Sequence, residues 1–202
     1  MKFNYWALKI SLICAIVFLF QLIPGFTDLF VLNKSSFVEP WRFLTAIFLH
    51  GGIGHLIYNL FALALFGSIL ESAVGSRKFL FVFFISGILA NIFAVNFYDS
   101  SLGASGAIFG VFGALMILRP GMIVWAFGIP MPMALAGLLW ILGDIFGVFM
   151  PDNIGHFAHL AGVAVGLVFG AFLRENIHTQ KREQRFVLDE NSVQRWEDNN
   201  LR

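Results

Sequence analysis

The chain of 202 residues is 58% hydrophobic and only 12% charged, and its formal net charge is +1. A soluble domain carries about 25% charged residues, so this composition, with apolar runs of about 20 residues, excludes an ordinary soluble protein and indicates an integral membrane protein. The small net charge gives no general attraction to nucleic acid, and the single cysteine, Cys14, excludes an intrachain disulfide. We expect no nucleic-acid partner, no cofactor and no metal.

Six apolar runs predict an all-α, polytopic bundle of six transmembrane helices. The first run follows Lys2 and lacks an Ala-x-Ala-like cleavage site after it, so we interpret it as a retained helix rather than a signal peptide. The predicted helices cover residues 6–22, 53–70, 79–97, 102–118, 133–150 and 154–173. Residues 1–174 then form one membrane domain.

The segments outside these runs have mixed character. In the long connection 25–52, Trp41-Arg42 combines an amphipathic ring with a cation and predicts an anchor at the lipid headgroups. Two prolines follow residues 122–129 and separate them from the next helix, so we expect an interfacial segment there. Residues 175–202 are strongly charged and predict a solvated, mobile cytoplasmic tail with room for a short helix.

The distribution of basic residues predicts the orientation of the bundle. An even number of spans places both termini on one side, and that side carries most of the Lys and Arg residues: Lys2, Lys9, Arg77, Lys78, Arg119 and six in the tail. The six tail residues are counted from Arg174 onward, and the opposite side has only Lys34 and Arg42. By the positive-inside rule both termini are cytoplasmic, and the second, fourth and sixth helices enter from the outer face.

A serine between small residues opens the fourth helix. Ser105 lies in the sequence Gly103-Ala104-Ser105-Gly106, and the glycines at 103, 106, 110 and 113 mark one face of a helix. Such a stripe lets another membrane helix approach closely. The Gly-x-Ser-Gly pattern alone is weak evidence for catalysis, because serine also packs well in membrane helices.

Three further polar residues fall at the same depth as this serine. The sixth helix carries His159 above a stripe of glycines at 162, 166 and 170, which suits the glycine face of the fourth helix. His55 and Asn59 share one face of the second helix. At 1.5 Å per residue, all four side chains lie roughly 3 to 9 Å below the outer helix ends. Polar residues in such segments are expensive, so a common layer favours a functional site.

The chemistry of this layer is that of a serine hydrolase. His159 is placed to accept the proton of the Ser105 hydroxyl, and His55, Asn59 and the Ser105 N–H are candidate donors to an oxyanion. No carboxylate has an evident sequence relation to His159, so we predict a Ser-His dyad rather than a triad. The remaining buried polar residues are interpreted as structural: His50, Glu71, Asp144 and His156.

In these residues and their order, the chain resembles the rhomboid family of intramembrane serine proteases. The matching motifs are Trp41-Arg42, His55-x-x-x-Asn59, Glu71-x-x-x-Gly75, Gly103-Ala-Ser105-Gly106 and Ala158-His159-x-x-Gly162-x-x-x-Gly166. The resemblance implies Ser105 as nucleophile, His159 as general base, and His55 with Asn59 near the oxyanion. It also implies that the Trp41-Arg42 loop lies partly in the membrane and that the fifth helix borders a side entrance for substrate helices.

Three hypotheses for the function remain. The first is an endopeptidase that cuts single-span membrane proteins near the outer leaflet, in what we expect to be a prokaryotic cell membrane. The second is a non-proteolytic chaperone or binding protein on the same scaffold. The third is a metal-dependent enzyme that uses the imidazoles of His50, His55, His156 and His159, which is disfavoured because no His-Glu-x-x-His motif is present.

Overall fold

The computed structural model describes residues 4–150 and 152–200, with the backbone alone for residues 176–192. The helices are α1 (Trp6–Phe20), α2 (Phe26–Phe30), α3 (Arg42–Thr45), α4 (Ile53–Ala62), α5 (Ser68–Val74), α6 (Ser76–Ala94), α7 (Ser105–Leu118), α8 (Met133–Gly147) and α9 (His156–Asn200). The strands are β1 (Leu32–Asn33), β2 (Ser100–Ser101), β3 (Ile123–Ala126) and β4 (Ile129–Pro132), in two antiparallel pairs, β1–β2 and β3–β4.

Each of the six apolar runs forms a helix. A π-helical turn, Leu63–Gly67, joins α4 to α5, so that Ile53–Val74 is one continuous helix. This helix, Ser76–Ala94 and His156–Glu175 are long and apolar enough to cross a membrane, whereas the apolar helices α1, α7 and α8 are shorter. Within the described residues, three helices therefore have full spanning length, which is fewer than the six predicted.

The two glycine stripes meet as predicted, and α7 packs directly along α9. The carbonyl oxygen of Gly110 lies where a Cβ on Gly166 would be, so the two backbones are in contact. The glycines at this interface are Gly106, Gly110 and Gly113 on α7, and Gly162, Gly166 and Gly170 on α9. This close packing fixes the height of Ser105 relative to His159.

The long connection is a folded layer rather than a simple anchor. The Arg42 side chain is buried, and its Nη1 donates to the carbonyl oxygens of Asp28 (2.7 Å) and Val31 (3.0 Å), while Nε pairs with Glu39 (2.6 Å). The expectation that the cation of Trp41-Arg42 faces the lipid headgroups is therefore wrong for Arg42. Its guanidinium instead donates to the carbonyl groups of Asp28 in α2 and of Val31 directly after it.

The segment after α7 is a hairpin. Strands β3 and β4 pair in the register Ile123↔Pro132 to Ala126↔Ile129, around a two-residue turn in which Phe127 and Gly128 both have positive φ. Its outward residues are apolar, with Trp125 76% exposed. The sequence indicated an interfacial segment and assigned no strands to it, because the alternation of two short strands is hard to recognise when nearly every residue is apolar.

Helix α9 continues well beyond the apolar run. It extends over His156–Asn200, so its charged half is part of one long helix rather than a separate short helix. The residues from 176 onward carry the charges that the sequence placed in the tail. A helix of mixed charge can persist on local propensity and ion pairs without an apolar face.

Glu71 attaches the beginning of α1 to the end of α5. Its Oε1 accepts hydrogen bonds from the Asn4 N–H (3.2 Å) and the Ser76 hydroxyl (2.6 Å), and its Oε2 accepts one from the Ala7 N–H (3.1 Å). A carboxylate in this place satisfies amides at a helix start that have no partner within the helix. The structural interpretation of Glu71 agrees with these contacts.

Candidate active site

Ser105 is the first residue of α7, at the end of the α7–α9 pair where both helices begin. The turn before it depends on Gly103, whose φ of +129° lies in the left-handed region and whose N–H donates to the Ala46 carbonyl (2.9 Å). A Cβ at this glycine would also lie 2.7 Å from the His55 ring. Because Ser105 begins the helix, its own N–H has no acceptor within the helix and is available to a ligand.

The four predicted site residues line a single cavity. Its volume is about 840 Å³, and its walls include Ser105, His159, His55 and Asn59. These side chains come from α7, α9 and α4, so the common depth expected from the sequence corresponds to a common space. Among residues 4–150 and 152–200, no hydrogen bond joins Ser105 to His159; such contacts are often long before substrate binds.

His159 is held from two sides. Its ring stacks on Phe109 of α7, with centroids 4.2 Å apart and planes 4° from parallel. Its Nδ1 lies 3.0 Å from Oδ1 of Asp144, near the end of α8. An ionised carboxylate can only accept, so Nδ1 carries a hydrogen and the neutral ring has its lone pair on Nε2. This is the tautomer that a general base acting through Nε2 requires.

Asp144 and Phe109 are the residues of the site that the sequence did not reveal. The expectation that no carboxylate orients His159 is wrong, because the turn between α8 and α9 brings Asp144 back against it. The two residues are 15 positions apart and lie on different helices, so the sequence gives no helical relation from which the contact follows. Phe109 lies one turn after Ser105 on the same helix face, which is a signal that could have been used.

His55 presents an N–H toward the serine turn. The Gly51 N–H donates to its Nδ1 (3.3 Å), so the neutral ring carries its hydrogen on Nε2. The ring packs against Gly103, two residues before Ser105. His55 is therefore oriented as a donor at the edge of the cavity where the serine lies.

Asn59 lies one turn deeper on the same helix. Its Nδ2 donates one hydrogen to the His55 carbonyl (2.8 Å), which leaves the second amide hydrogen free to face the cavity. Its buried Oδ1 has no partner in the part of the chain that the structure describes. Such a buried amide is expensive unless a ligand or solvent completes its hydrogen bonds.

The histidines form two separate groups rather than one metal centre. His50 and His55 are neighbours, with ring centroids 5.1 Å apart, whereas His156 and His159 converge on Asp144. Asp144, His156 and His159 form the only group of three or more such side chains, among the described residues, whose possible metal-ligand atoms all lie within 4.8 Å of one another. However, His156 Nδ1 is 2.6 Å from Asp144 Oδ1. Two ligands of a tetrahedral zinc ion are about 3.3 Å or more apart, so a hydrogen bond explains this contact better.

The fold and the cavity together define a class of protein. It is a helical integral membrane protein in which a serine and a histidine from two closely packed helices line one cavity. The rhomboid domain family matches residues 38–176, more than half of the chain. The chain belongs to the rhomboid family.

Two bacterial relatives and one plant relative illustrate the similarity. The chain is 35% identical over 153 residues to the putative rhomboid protease YdcA of Bacillus subtilis, a match that covers 73% of this chain and 72% of that protein. It is 39% identical over 129 residues to the rhomboid protease GluP of the same organism (61% and 25%). It is 33% identical over 137 residues to RHOMBOID-like protein 6, mitochondrial, of Arabidopsis thaliana (67% and 44%). The chain thus spans less than half of two of these three relatives.

Proposed function

We propose that this protein is an intramembrane serine endopeptidase, with Ser105 as nucleophile and His159 as general base. The observation that carries the proposal is the direct contact of α7 with α9, which brings both residues to one cavity and leaves Nε2 of His159 unprotonated. The names of YdcA and GluP as rhomboid proteases support the same activity for this chain.

The reaction proceeds through an acyl-enzyme. The Ser105 Oγ attacks the scissile carbonyl carbon while its proton moves to His159 Nε2. The resulting oxyanion accepts hydrogen bonds from the Ser105 N–H, from His55 Nε2 and from Asn59 Nδ2, and each such donor is worth about 3 kcal/mol in soluble proteases. When the C–N bond breaks, the His159 Nε2–H protonates the leaving amine. Water then attacks the ester, with His159 as base, and releases the acid and free Ser105.

The membrane determines which bonds the site reaches. We place six spans in the bilayer with both termini cytoplasmic, because the basic residues favour that orientation. The cavity then opens near the outer leaflet, and the substrates are single-span membrane proteins. Peptide bonds within a helix are shielded by their hydrogen bonds, so a substrate segment must unwind locally before Ser105 attacks it.

The test combines active-site labelling with cleavage in detergent. Purified protein is treated with a fluorophosphonate probe and, separately, with a transmembrane substrate that an active rhomboid protease cleaves. We expect labelling and cleavage for the wild type and neither for Ser105→Ala or His159→Ala. Ser72→Ala, which removes an exposed serine on α5, is the control variant and retains both activities.

The outcomes separate the remaining hypotheses. If the wild type binds the substrate as tightly as Ser105→Ala does and neither cleaves it, the protein is a non-proteolytic binding protein. If all variants are labelled equally, the reactive group is not Ser105, and the proposed function is wrong.

A further inference from the structure

One carboxylate oxygen is shared by two histidines at the outer end of α8 and α9. Asp144 Oδ1 lies 2.6 Å from Nδ1 of His156 and 3.0 Å from Nδ1 of His159. All three side chains are buried. Oδ2 of the same carboxylate has no partner among the residues that the structure describes, so both contacts pass through Oδ1. A change at either histidine therefore acts directly on the atom that orients the other.

His156 has a carboxylate at each of its ring nitrogens. Its Nδ1 faces Asp144, and its Nε2 lies 3.1 Å from Oδ2 of Asp152. A neutral imidazole has one N–H and would direct a lone pair at one of these acceptors, whereas an imidazolium donates to both. The Ile154 N–H (3.0 Å) and the His156 ring hold the pKa of Asp152 below its usual range, which keeps that partner ionised.

The backbone of α8 is shaped to admit the His156 ring. A Cβ on Gly147, one turn after Asp144, would overlap all three ring atoms nearest to it. The ring therefore lies directly on α8 between the two carboxylates. One cation between two anions partly balances the charge of a buried carboxylate, which would otherwise be expensive to ionise.

We propose that Asp144 and His156 are positioning residues for His159, an inference that rests on the proposed function of His159 as general base. Asp144 fixes the tautomer and the ring orientation of His159 through Nδ1–H. His156 keeps the Asp144 carboxylate ionised and in place. When His159 Nε2 takes the proton from Ser105, the Nδ1 proton stays on the ring, and the new imidazolium is stabilised by Asp144. No proton moves to the carboxylate.

The first experiment separates the hydrogen bond from the charge. Asp144→Asn keeps an acceptor and removes the charge, whereas Asp144→Leu removes both. Cleavage of a transmembrane substrate is measured over a concentration series. We expect kcat to fall about 10-fold in Asp144→Asn and about 100-fold in Asp144→Leu, with KM within twofold of wild type, because general-base catalysis contributes about 100- to 10,000-fold. Asp99→Asn, an exposed carboxylate, is the control.

A spectroscopic readout distinguishes positioning from a structural role. Long-range ¹H–¹⁵N correlation of the histidine rings reports which nitrogen carries hydrogen, and His159→Ala assigns the signal. We expect His159 as the Nδ1–H form in the wild type and in Asp144→Asn, and a mixture of both tautomers in Asp144→Leu.

A second set of variants tests His156 without changing Asp144. Gly147→Ala displaces the His156 ring, whereas Gly143→Ala on the same helix has open space around its Cβ. We expect Gly147→Ala and His156→Gln to lower kcat about fivefold or more with KM unchanged, and Gly143→Ala to match wild type.

The results bear on the two claims separately. A wild type that neither labels nor cleaves contradicts the proposed function. A wild type that cleaves, with kcat within twofold in Asp144→Leu and in His156→Gln, overturns the inference and leaves the proposed function standing. Should Asp144→Leu fail to fold, Asp144→Asn and Gly147→Ala decide by the same criterion.

Discussion

The imidazole of His159 stacks on the phenyl ring of Phe109 at a centroid distance of 4.2 Å. The two residues belong to different helices, and Phe109 follows Ser105 by one turn. The stack therefore sets the tilt of the His159 ring relative to the helix that carries Ser105. An aromatic pair of this kind is worth about 0.5 to 1.5 kcal/mol beyond the area that it buries.

We expect Phe109→Leu to lower kcat about 10-fold, because the ring of His159 loses the surface that fixes its plane and a general base depends on alignment. Phe109→Tyr retains the ring and serves as the matched control, with kcat within about twofold of wild type. The measurement is cleavage of a transmembrane substrate under saturating conditions. Equal rates for Leu and Tyr at this position would show that the stack does not orient the base.

The contact between Gly110 and Gly166 leads to a prediction about stability. Gly166→Ala places a methyl group on the Gly110 carbonyl, so the helices must separate. Overpacking of this kind destabilises the folded state by about 1 to 3 kcal/mol. The backbone of Gly110 cannot move away from the new methyl group as a flexible side chain could. We expect a lower midpoint of thermal unfolding in detergent. Gly54→Ala, where a Cβ meets open space, is the control; an unchanged midpoint for Gly166→Ala would contradict the contact.

The buried guanidinium of Arg42 leads to a second prediction about stability. Arg42→Lys keeps the charge but cannot donate to Asp28, Val31 and Glu39 together. Loss of charge-assisted hydrogen bonds in a buried place lowers the free energy of unfolding by about 1.5 to 3 kcal/mol. Thermal unfolding monitored by circular dichroism measures the change. The exposed Arg77→Lys is the comparison, and equal unfolding midpoints for the two variants would refute the structural role.

Chelation of metals tests the nature of the Asp144 cluster. Because His156 Nδ1 and Asp144 Oδ1 are 2.6 Å apart, a proton rather than a zinc ion explains their contact. We expect EDTA to leave substrate cleavage unchanged, with a zinc protease inhibited in parallel as the control. Activity that disappears with EDTA and returns with zinc would instead support the metal-dependent hypothesis.

Several features of the fold could be predicted because they depend on periodicity alone. Each of the six apolar runs forms a helix, five of them near their predicted limits, and the glycines of α7 and α9 meet because small residues recur on one face of each helix. The gathering of Ser105, His159, His55 and Asn59 in one cavity follows from the same information, since rise per residue sets their depth.

Other features could not be predicted because they depend on how loops return. Arg42 looked like a headgroup anchor, and only the fold of the long connection encloses it among carbonyl groups. The hairpin β3–β4 was hidden because a uniformly apolar segment shows no alternation. The charged half of α9 gave no apolar stripe, which is the usual sign of a helix.

The sequence by itself determined which helices carry the serine, the histidines and the asparagine, and that these lie at one depth, because the period of a helix is a local property. The tertiary structure alone decided that Asp144 contacts His159 and that Phe109 stacks on it. Those contacts depend on the turn between α8 and α9 and on the distance between α7 and α9. Neither the turn nor the distance follows from the spacing of residues along one helix, since both are set by packing between helices.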